Sequence, residues 1–306
     1  MVILVFGGTG LIGQEFCAHA LMNNHQPIVV SRFPERYNIP YQIIGYAEAA
    51  KPAVQRMLSG EFAAVNLTGA NIASKSWSDS RKKYLLESRL DILDRIELFL
   101  QQAPQEPDVL LQSSAIGYYG NTGSKKIDEK SEPGSGFLSE LAQKWEKRFQ
   151  KVELEDTRKI IMRTGIVLSN NGGMLPKVVK PFKLFAGGVI GSGKQYVSWI
   201  HIQDQVRAMM HLIEDKYTHG AYNLTAPEPV TMKTFTKAVG KTLRRPAFFK
   251  VPSFIINAMY GQMGKETILE GTRVYPKRLL DYEFEFIFTD LNLALKNLLI
   301  KQKQQK

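Results

Sequence analysis

A chain of 306 residues with 44% hydrophobic content can bury a sizeable core, as one large domain or as two lobes. Its 10% aromatic and 23% charged residues are ordinary for a globular protein, and no apolar run reaches the roughly 18 residues that a membrane helix needs. The net charge of +11 admits nucleic acid, but the bases are spread along the chain, so the expectation is a basic surface around an anion-binding pocket, with neither nucleic acid nor membrane as partner.

Val2–Phe6 reads as a buried parallel strand running into glycines, not as a targeting leader. Leu11–Asn23 follows as a helix with Phe16, Ala20 and Leu21 on one face, and its Cys17, the only cysteine, is expected to be buried. One cysteine excludes an intramolecular disulfide and fits a reducing, cytoplasmic setting. Pro27–Ser31, Tyr41–Tyr46 and Phe62–Leu67 read as strands. Ser78–Gln102 reads as a long helix, with Leu85, Leu86, Leu90, Leu93, Ile96 and Leu100 at helical spacing. Asp108–Gln112 is a fifth strand, Phe137–Val152 a helix and Lys159–Val167 a sixth strand. This alternation predicts an α/β fold with a doubly wound parallel sheet.

The rhythm breaks after Leu168. A glycine-rich run at 186–193 leads to a strand over Tyr196–Ile202, Asp204 is placed to cap a helix through Ile213, and Ala221–Leu224 reads as one more sheet strand. The expected organisation is a sheet domain over residues 1–226, with an insertion at about 170–198, and a smaller substrate-side lobe over 227–306. The tail Lys301–Lys306 reads as a frayed end. The five histidines, His19, His25, His201, His211 and His219, show no metal-ligand spacing, and no metal is expected.

The strongest motif is Gly7-x-x-Gly10-x-x-Gly13, placed between a strand and a helix. Gly7 permits a tight turn, Gly10 lets the backbone approach a pyrophosphate, and Gly13 lets the helix pack close to the sheet. Thr9, Leu11 and Ile12 belong to the same dinucleotide-binding turn. The second strand ends in Ser31-Arg32, where a site selective for NAD usually carries an acidic residue. A hydroxyl and a guanidinium suit a 2′-phosphate instead, so the expected cofactor is NADP(H), with Arg36 in a supporting position. Gly188–Lys194 imitates a phosphate-binding P-loop, but Gln195 stands where a magnesium-binding Ser or Thr would follow.

At this point the chain resembles the extended short-chain dehydrogenase/reductase superfamily, in particular its atypical epimerase-family branch, also labelled SulA-like or nucleoside-diphosphate-sugar epimerase-like. The marks are GGTGLIG at 7–13, VSR at 30–32, NLTGANI at 66–72, SR at 88–89, SSAIGYYG at 113–120 and FLSELAQKWE at 137–146. RTGIVL at 163–168, PF at 181–182, GSGKQYVSWIHIQD at 191–204 and EGTRVYPKRLL at 270–280 continue the series. The resemblance implies a Rossmann fold with a smaller C-terminal substrate lobe. It adds Leu67, Thr68, Gly69, Arg89, Ser113 and Ile166 to the cofactor site and places Ser114 where relatives keep a catalytic Ser or Thr.

One departure stands against the match. Active members of the superfamily carry Tyr-x-x-x-Lys on the helix after the fifth strand, and neither register of Phe137–Ala142 supplies the pair. The usual general acid/base is therefore missing. Ser114 is the expected polar contact for a substrate oxygen, without a base beside it, and Tyr118 and Tyr119 are the candidate proton donors. Lys144 falls off the required turn, Trp145 reads as core, and Glu146 as a residue that faces solvent or pairs with a base. His201 and Asp204 read as a strand residue and a helix cap. The expected function is an NADP(H)-binding epimerase or oxidoreductase of a small polar, sugar-like substrate; the alternative is a non-catalytic NADP(H)-binding regulator or redox sensor. A homodimer is left open.

Overall fold

The computed structural model describes residues 1–300, so the tail expected to fray lies outside the described residues. In the first half, β1 (Val2–Phe6), α1 (Leu11–Met22), β2 (Gln26–Ser31), β3 (Gln42–Gly45), α2 (Pro52–Met57) and β4 (Phe62–Asn66) are followed by α3 (Asp79–Gln101) and β5 (Val109–Ala115). A two-residue β6 (Lys126–Ile127), α4 (Phe137–Gln150), β7 (Arg158–Thr164) and β8 (Ile166–Leu168) come next. The remainder is built from α5 (Leu175–Lys183), β9 (Gly188–Ile190), β10 (Tyr196–Val197), β11 (Trp199–His201), α6 (Ile202–Glu214), β12 (Gly220–Leu224) and β13 (Val230–Thr231). It closes with α7 (Met232–Leu243), β14 (Phe249–Val251), α8 (Ser253–Gly264), β15 (Arg273–Val274), α9 (Lys277–Asp281) and α10 (Leu291–Leu299).

Seven strands form one sheet in the order β3-β2-β1-β4-β5-β7-β12, and every neighbouring pair is parallel. Its strands are apolar runs rather than alternating ones because both faces are covered. Ile3, Val5, Val65 and Leu111 point to the face packed by Phe16 and Cys17 of α1 and by Met209 and Leu212 of α6. Leu4, Phe6, Ala64 and Leu110 point to the other, under Ile96 and Phe99 of α3 and Trp145 and Phe149 of α4. The chain reverses its winding between β1 and β4, the crevice where doubly wound sheets bind ligands. A third core, around Phe182, Trp199, Phe235 and Leu295, belongs to the smaller lobe.

Four expectations need correction. The sixth strand is not continuous: it breaks at Gly165, where a Cβ would stand 2.5 Å from the Ser198 carbonyl oxygen. Beyond the break, β8 leaves the sheet and pairs with β11. The strand expected over Tyr196–Ile202 is likewise cut at Ser198, whose hydroxyl donates to Thr272 O at 2.6 Å. Asp204 does not cap α6. His201 does, its Nδ1 accepting from the Gln203 N–H at 3.1 Å, while Asp204 lies one turn inside and receives the N–H groups of Ile287 and Phe288 at 2.9 and 2.8 Å. Leu21, expected on the packed face of α1, is exposed; Phe16, Cys17 and Ala20 form that face.

Candidate functional site: a dinucleotide cleft with a serine–glutamate–arginine wall

The turn after β1 is built on its glycines. Gly7 sits at φ +86°, a left-handed conformation, and a side chain there would meet the Leu67 backbone at 2.9 Å. A Cβ on Gly13 would lie 2.4 Å from Gly7 O, so this glycine allows α1 to press against the turn. Gly10 is different: a Cβ there meets only Gly7 O, at 3.3 Å, and the space beyond is open. The N–H of Gly10 itself closes the turn onto Gly7 O at 3.0 Å. Gly10 N-caps α1 without a side chain, so the first-turn N–H groups at Leu11 and Ile12 are free to face an anion.

At the end of β2, Ser31 Oγ accepts from Phe33 N–H at 3.2 Å and fixes the loop. Arg32 is exposed, and among the described residues it forms no ion pair. Arg36 is otherwise engaged, over the Phe33 ring at 4.1 Å and 3.7 Å from Glu35. Leu67, Thr68 and Gly69, just beyond β4, line the cleft with Arg89 from α3. Burial, then the nearby Arg81, lowers the Arg89 guanidinium to about 10. Its Nη atoms donate to Leu85 O and Ala70 O at 2.9 and 3.1 Å, but its buried Nε has no partner. An open pyrophosphate turn, an unpaired arginine at the end of β2 and this orphaned donor fit a dinucleotide with an extra phosphate.

The cleft holds about 480 Å³ and continues past Ser113, Ser114 and Ile166 towards the lobe. Here the structure corrects the expectation of a serine without a base. Ser114 is buried against α4, and its hydroxyl donates to Glu146 Oε1 at 2.6 Å. Glu146, expected to face solvent or pair with a base, is buried and gripped by Arg163, whose Nε and Nη2 donate at 3.0 and 2.7 Å. Burial alone would lower the Arg163 pKa, but the bonds and charge of Glu146 carry it upward. The three groups come from β5, α4 and β7, elements in direct contact but distant in sequence.

The tyrosines lie behind this wall. Tyr119 is 1% exposed; its hydroxyl donates to Asn223 Oδ1 at 2.7 Å and accepts from Arg163 at 3.0 Å. Burial, opposed by Arg163 and Asn223, pushes its pKa up to about 12. The Tyr118 ring lies 3.5 Å beneath the Arg163 guanidinium. Neither tyrosine is among the cleft-lining residues. On α4, Leu138 and Ala142, one turn apart, face the cleft beside Leu141 and Trp145, whereas Phe137 packs on Trp77. Lys144 is exposed. From the lobe, the Glu266 carboxylate accepts the Phe137 and Leu138 N–H groups at 3.1 and 2.9 Å, capping α4 at the cleft rim.

Other candidates take structural roles. Cys17 is buried, and burial pushes its thiol up to about 12, so it is inert. The P-loop imitation enters β10 rather than a helix, and Gln195 straps it to Ile190 O and Ile268 O.

A family model described as the NAD dependent epimerase/dehydratase family matches residues 3–225, and a domain of unknown function, DUF1731, matches residues 251–298. The chain is 33% identical to the epimerase family protein YfhF of Bacillus subtilis over 307 residues, covering 99% of each chain. It is also 33% identical to human epimerase family protein SDR39U1, covering 97% of this chain and 99% of the relative. The crystal structure of that human protein with NADPH superposes with a TM-score of 0.86 over 97% of this chain and 99% of the other. A UDP-glucose 4-epimerase from Thermotoga maritima, solved with UDP-glucose, shares the fold at a TM-score of 0.73 and 15% identity, covering 100% of this chain and 99% of that one. The chain belongs to the NAD dependent epimerase/dehydratase family, on the branch of the epimerase family proteins typified by SDR39U1.

Proposed function

We propose that this chain is an NADP(H)-dependent oxidoreductase or epimerase-like enzyme of a small polar substrate, in which Ser114 and Glu146 replace the missing tyrosine and lysine. The observation that carries the reading is the 2.6 Å bond from Ser114 to a buried, arginine-paired carboxylate on the cleft wall. NADP(H), when bound, supplies or accepts the hydride. Gly7, Gly10 and Gly13 with Thr9, Leu11 and Ile12 hold the pyrophosphate, and Ser31 and Arg32 the 2′-phosphate. Leu67, Thr68, Gly69 and Arg89 flank the adenosine side, and Ser113 and Ile166 the inner end. The human relative's NADPH supports this assignment. A sugar-like substrate is supported by UDP-glucose in the Thermotoga neighbour.

Ser114 turns its proton towards Glu146, so its oxygen lone pairs are left for the cleft. A substrate hydroxyl donating to Ser114 Oγ can pass its proton through the serine to the carboxylate. Arg163 Nη2 lies 2.7 Å from Glu146 Oε2 and holds the carboxylate in place beside Ser114. Leu138 and Ala142 exclude water from this corner without exchanging protons. Tyr118 and Tyr119, the donors expected from the sequence, brace Arg163 instead.

The test is NADP+ reduction, and NADPH consumption, across small alcohols, carbonyls and sugar derivatives. On a confirmed substrate, Ser114→Ala and Glu146→Gln each cost roughly a hundredfold in kcat, the scale of general-base loss, with NADPH affinity unchanged. Full activity in both variants would end the serine–glutamate reading. The two apolar side chains on α4 favour a second reading, a non-catalytic NADP(H)-binding regulator. It prevails if no substrate turns over while NADPH changes the affinity of a partner protein.

A further inference from the structure

The positive charge is not evenly spread once the lobe is considered alone. Residues 171–203 contain four lysines and no Asp or Glu, and residues 229–265 contain seven Lys or Arg and no Asp or Glu. Among the described residues, only Lys265 of this set is in an ion pair, with Glu270. The two segments are strapped together. β9 and β14 pair in parallel, Phe249 N–H donates to Gly187 O at 3.3 Å, and the Arg245 guanidinium covers the Phe185 ring at 4.3 Å.

The same segments carry large apolar side chains that are exposed among the described residues. Phe248 is 88% exposed, Phe254 71%, Leu184 70% and Phe185 57%. Phe249 and Met259 are also exposed, as are Lys183, Arg244 and Lys250 in the same segments. Solvated phenylalanines are costly, and a cluster of them marks an interaction surface. No helix among the described residues is long and apolar enough to cross a bilayer, so any lipid contact is at the bilayer surface.

We propose that this corner of the lobe, the turns at 183–187 and 244–250 with the start of α8, docks on the surface of an anionic lipid bilayer. Protruding phenylalanine and leucine side chains enter the headgroup–acyl boundary, and the unpaired lysines and arginines meet the lipid phosphates. The two features reinforce each other, because neither a few apolar side chains nor a basic patch alone anchors strongly. The exposed leucine and methionine among the phenylalanines suit an acyl-chain boundary better than single-stranded nucleic acid, which is held by stacking aromatics. A second copy on the same face would set segments 171–203 and 229–265, both without Asp or Glu, against their own copies, and the repulsion disfavours it. The bases that seemed dispersed along the sequence are thus gathered by the β9–β14 pairing.

The experiment is co-sedimentation of the full chain with phosphatidylcholine vesicles and with vesicles that also contain phosphatidylglycerol. The chain is expected to pellet with the anionic vesicles, to stay soluble with the neutral ones and to be released by salt. F248S/F254S and K183E/K250E are each expected to lower partitioning roughly tenfold or more, with unchanged melting temperature and NADPH titration. The proposal is overturned by failure to pellet with anionic vesicles, or by pelleting that neither double variant weakens. Binding of a single-stranded oligonucleotide that requires Phe248 and Phe254, without vesicle binding, overturns it in favour of nucleic acid. A dimer in sedimentation velocity that F248S/F254S dissociates overturns it in favour of self-association.

Discussion

At the residue scale, two positions separate binding from architecture. Arg32 is exposed, unpaired and at the end of β2. If it meets the 2′-phosphate, the charge-assisted contact contributes about 1.5–3 kcal/mol, and NADPH binds tenfold or more tighter than NADH. Arg32→Asp is expected to reverse that order in a fluorescence titration; equal affinities in the unaltered protein would contradict the assignment. Tyr119 is the opposite case. Its hydroxyl is committed to Asn223 and Arg163, and its raised pKa keeps the proton on through neutral pH. Tyr119→Phe leaves two buried polar partners short of a bond and is expected to cost about 1–3 kcal/mol in denaturant unfolding. Its NADPH affinity should match the parent protein; a large loss there would bring Tyr119 back into the site.

At the element scale, the glycine turn divides the same way. Val at Gly13 must push into Gly7 O and the Gly8 backbone, which cannot move without separating α1 from the sheet. Gly13→Val is therefore expected to lower stability by several kcal/mol and yield little folded protein. Val at Gly10 meets only Gly7 O, at 3.3 Å, but on the proposed assignment it fills the place of the pyrophosphate. Gly10→Val is expected to melt near the parent temperature and to lose NADPH binding; retention of binding by the folded variant would move the site elsewhere. This motif was readable in the sequence because its requirements are local. So were β1, β2, β4 and β5, whose apolar runs are punctuated by glycine, proline and polar residues. The Ser114–Glu146 contact was not readable. Glu146 stands on a helix whose charged neighbours Lys144 and Lys147 face solvent, and only the packing of α4 on β5 and β7 turns it inward. The break at Gly165 was hidden for a similar reason, since its cause is the Ser198 carbonyl on a distant segment.

At the scale of the whole molecule, the junction of β11 and α6 with the C-terminal segment is expected to respond to pH through His201. His201 ends β11, caps α6 and touches the C-terminal segment from both sides. Its ring stacks on Phe288 at 3.8 Å, and its Nε2 meets Asn297 Oδ1 at 3.2 Å. Nδ1 accepts from Gln203 N–H, so Nε2 carries the proton and the neutral ring has both bonds satisfied. Burial, opposed by the Asn297 bond, lowers its pKa from 6.5 to about 4. A depressed histidine pKa means that the unfolded chain takes up the proton first as pH falls. The stability due to this group is therefore complete above about pH 6.5 and is lost between there and about pH 4. The shift corresponds to about 3 kcal/mol over that window. Asp204 and Glu129, raised by burial, titrate in the opposite sense: each adds stability as pH falls from its raised value towards the unfolded 3.8 or 4.5, and so offsets part of the histidine loss. The contribution of His201 to the unfolding free energy is thus expected to fall from about pH 7 to about pH 5. His201→Gln removes the titration while retaining a polar side chain; it is expected to be less stable at neutral pH and to show a shallower fall on acidification. Denaturant melts of both proteins at the two pH values decide the matter, because parallel slopes would show that the acid sensitivity arises from another group.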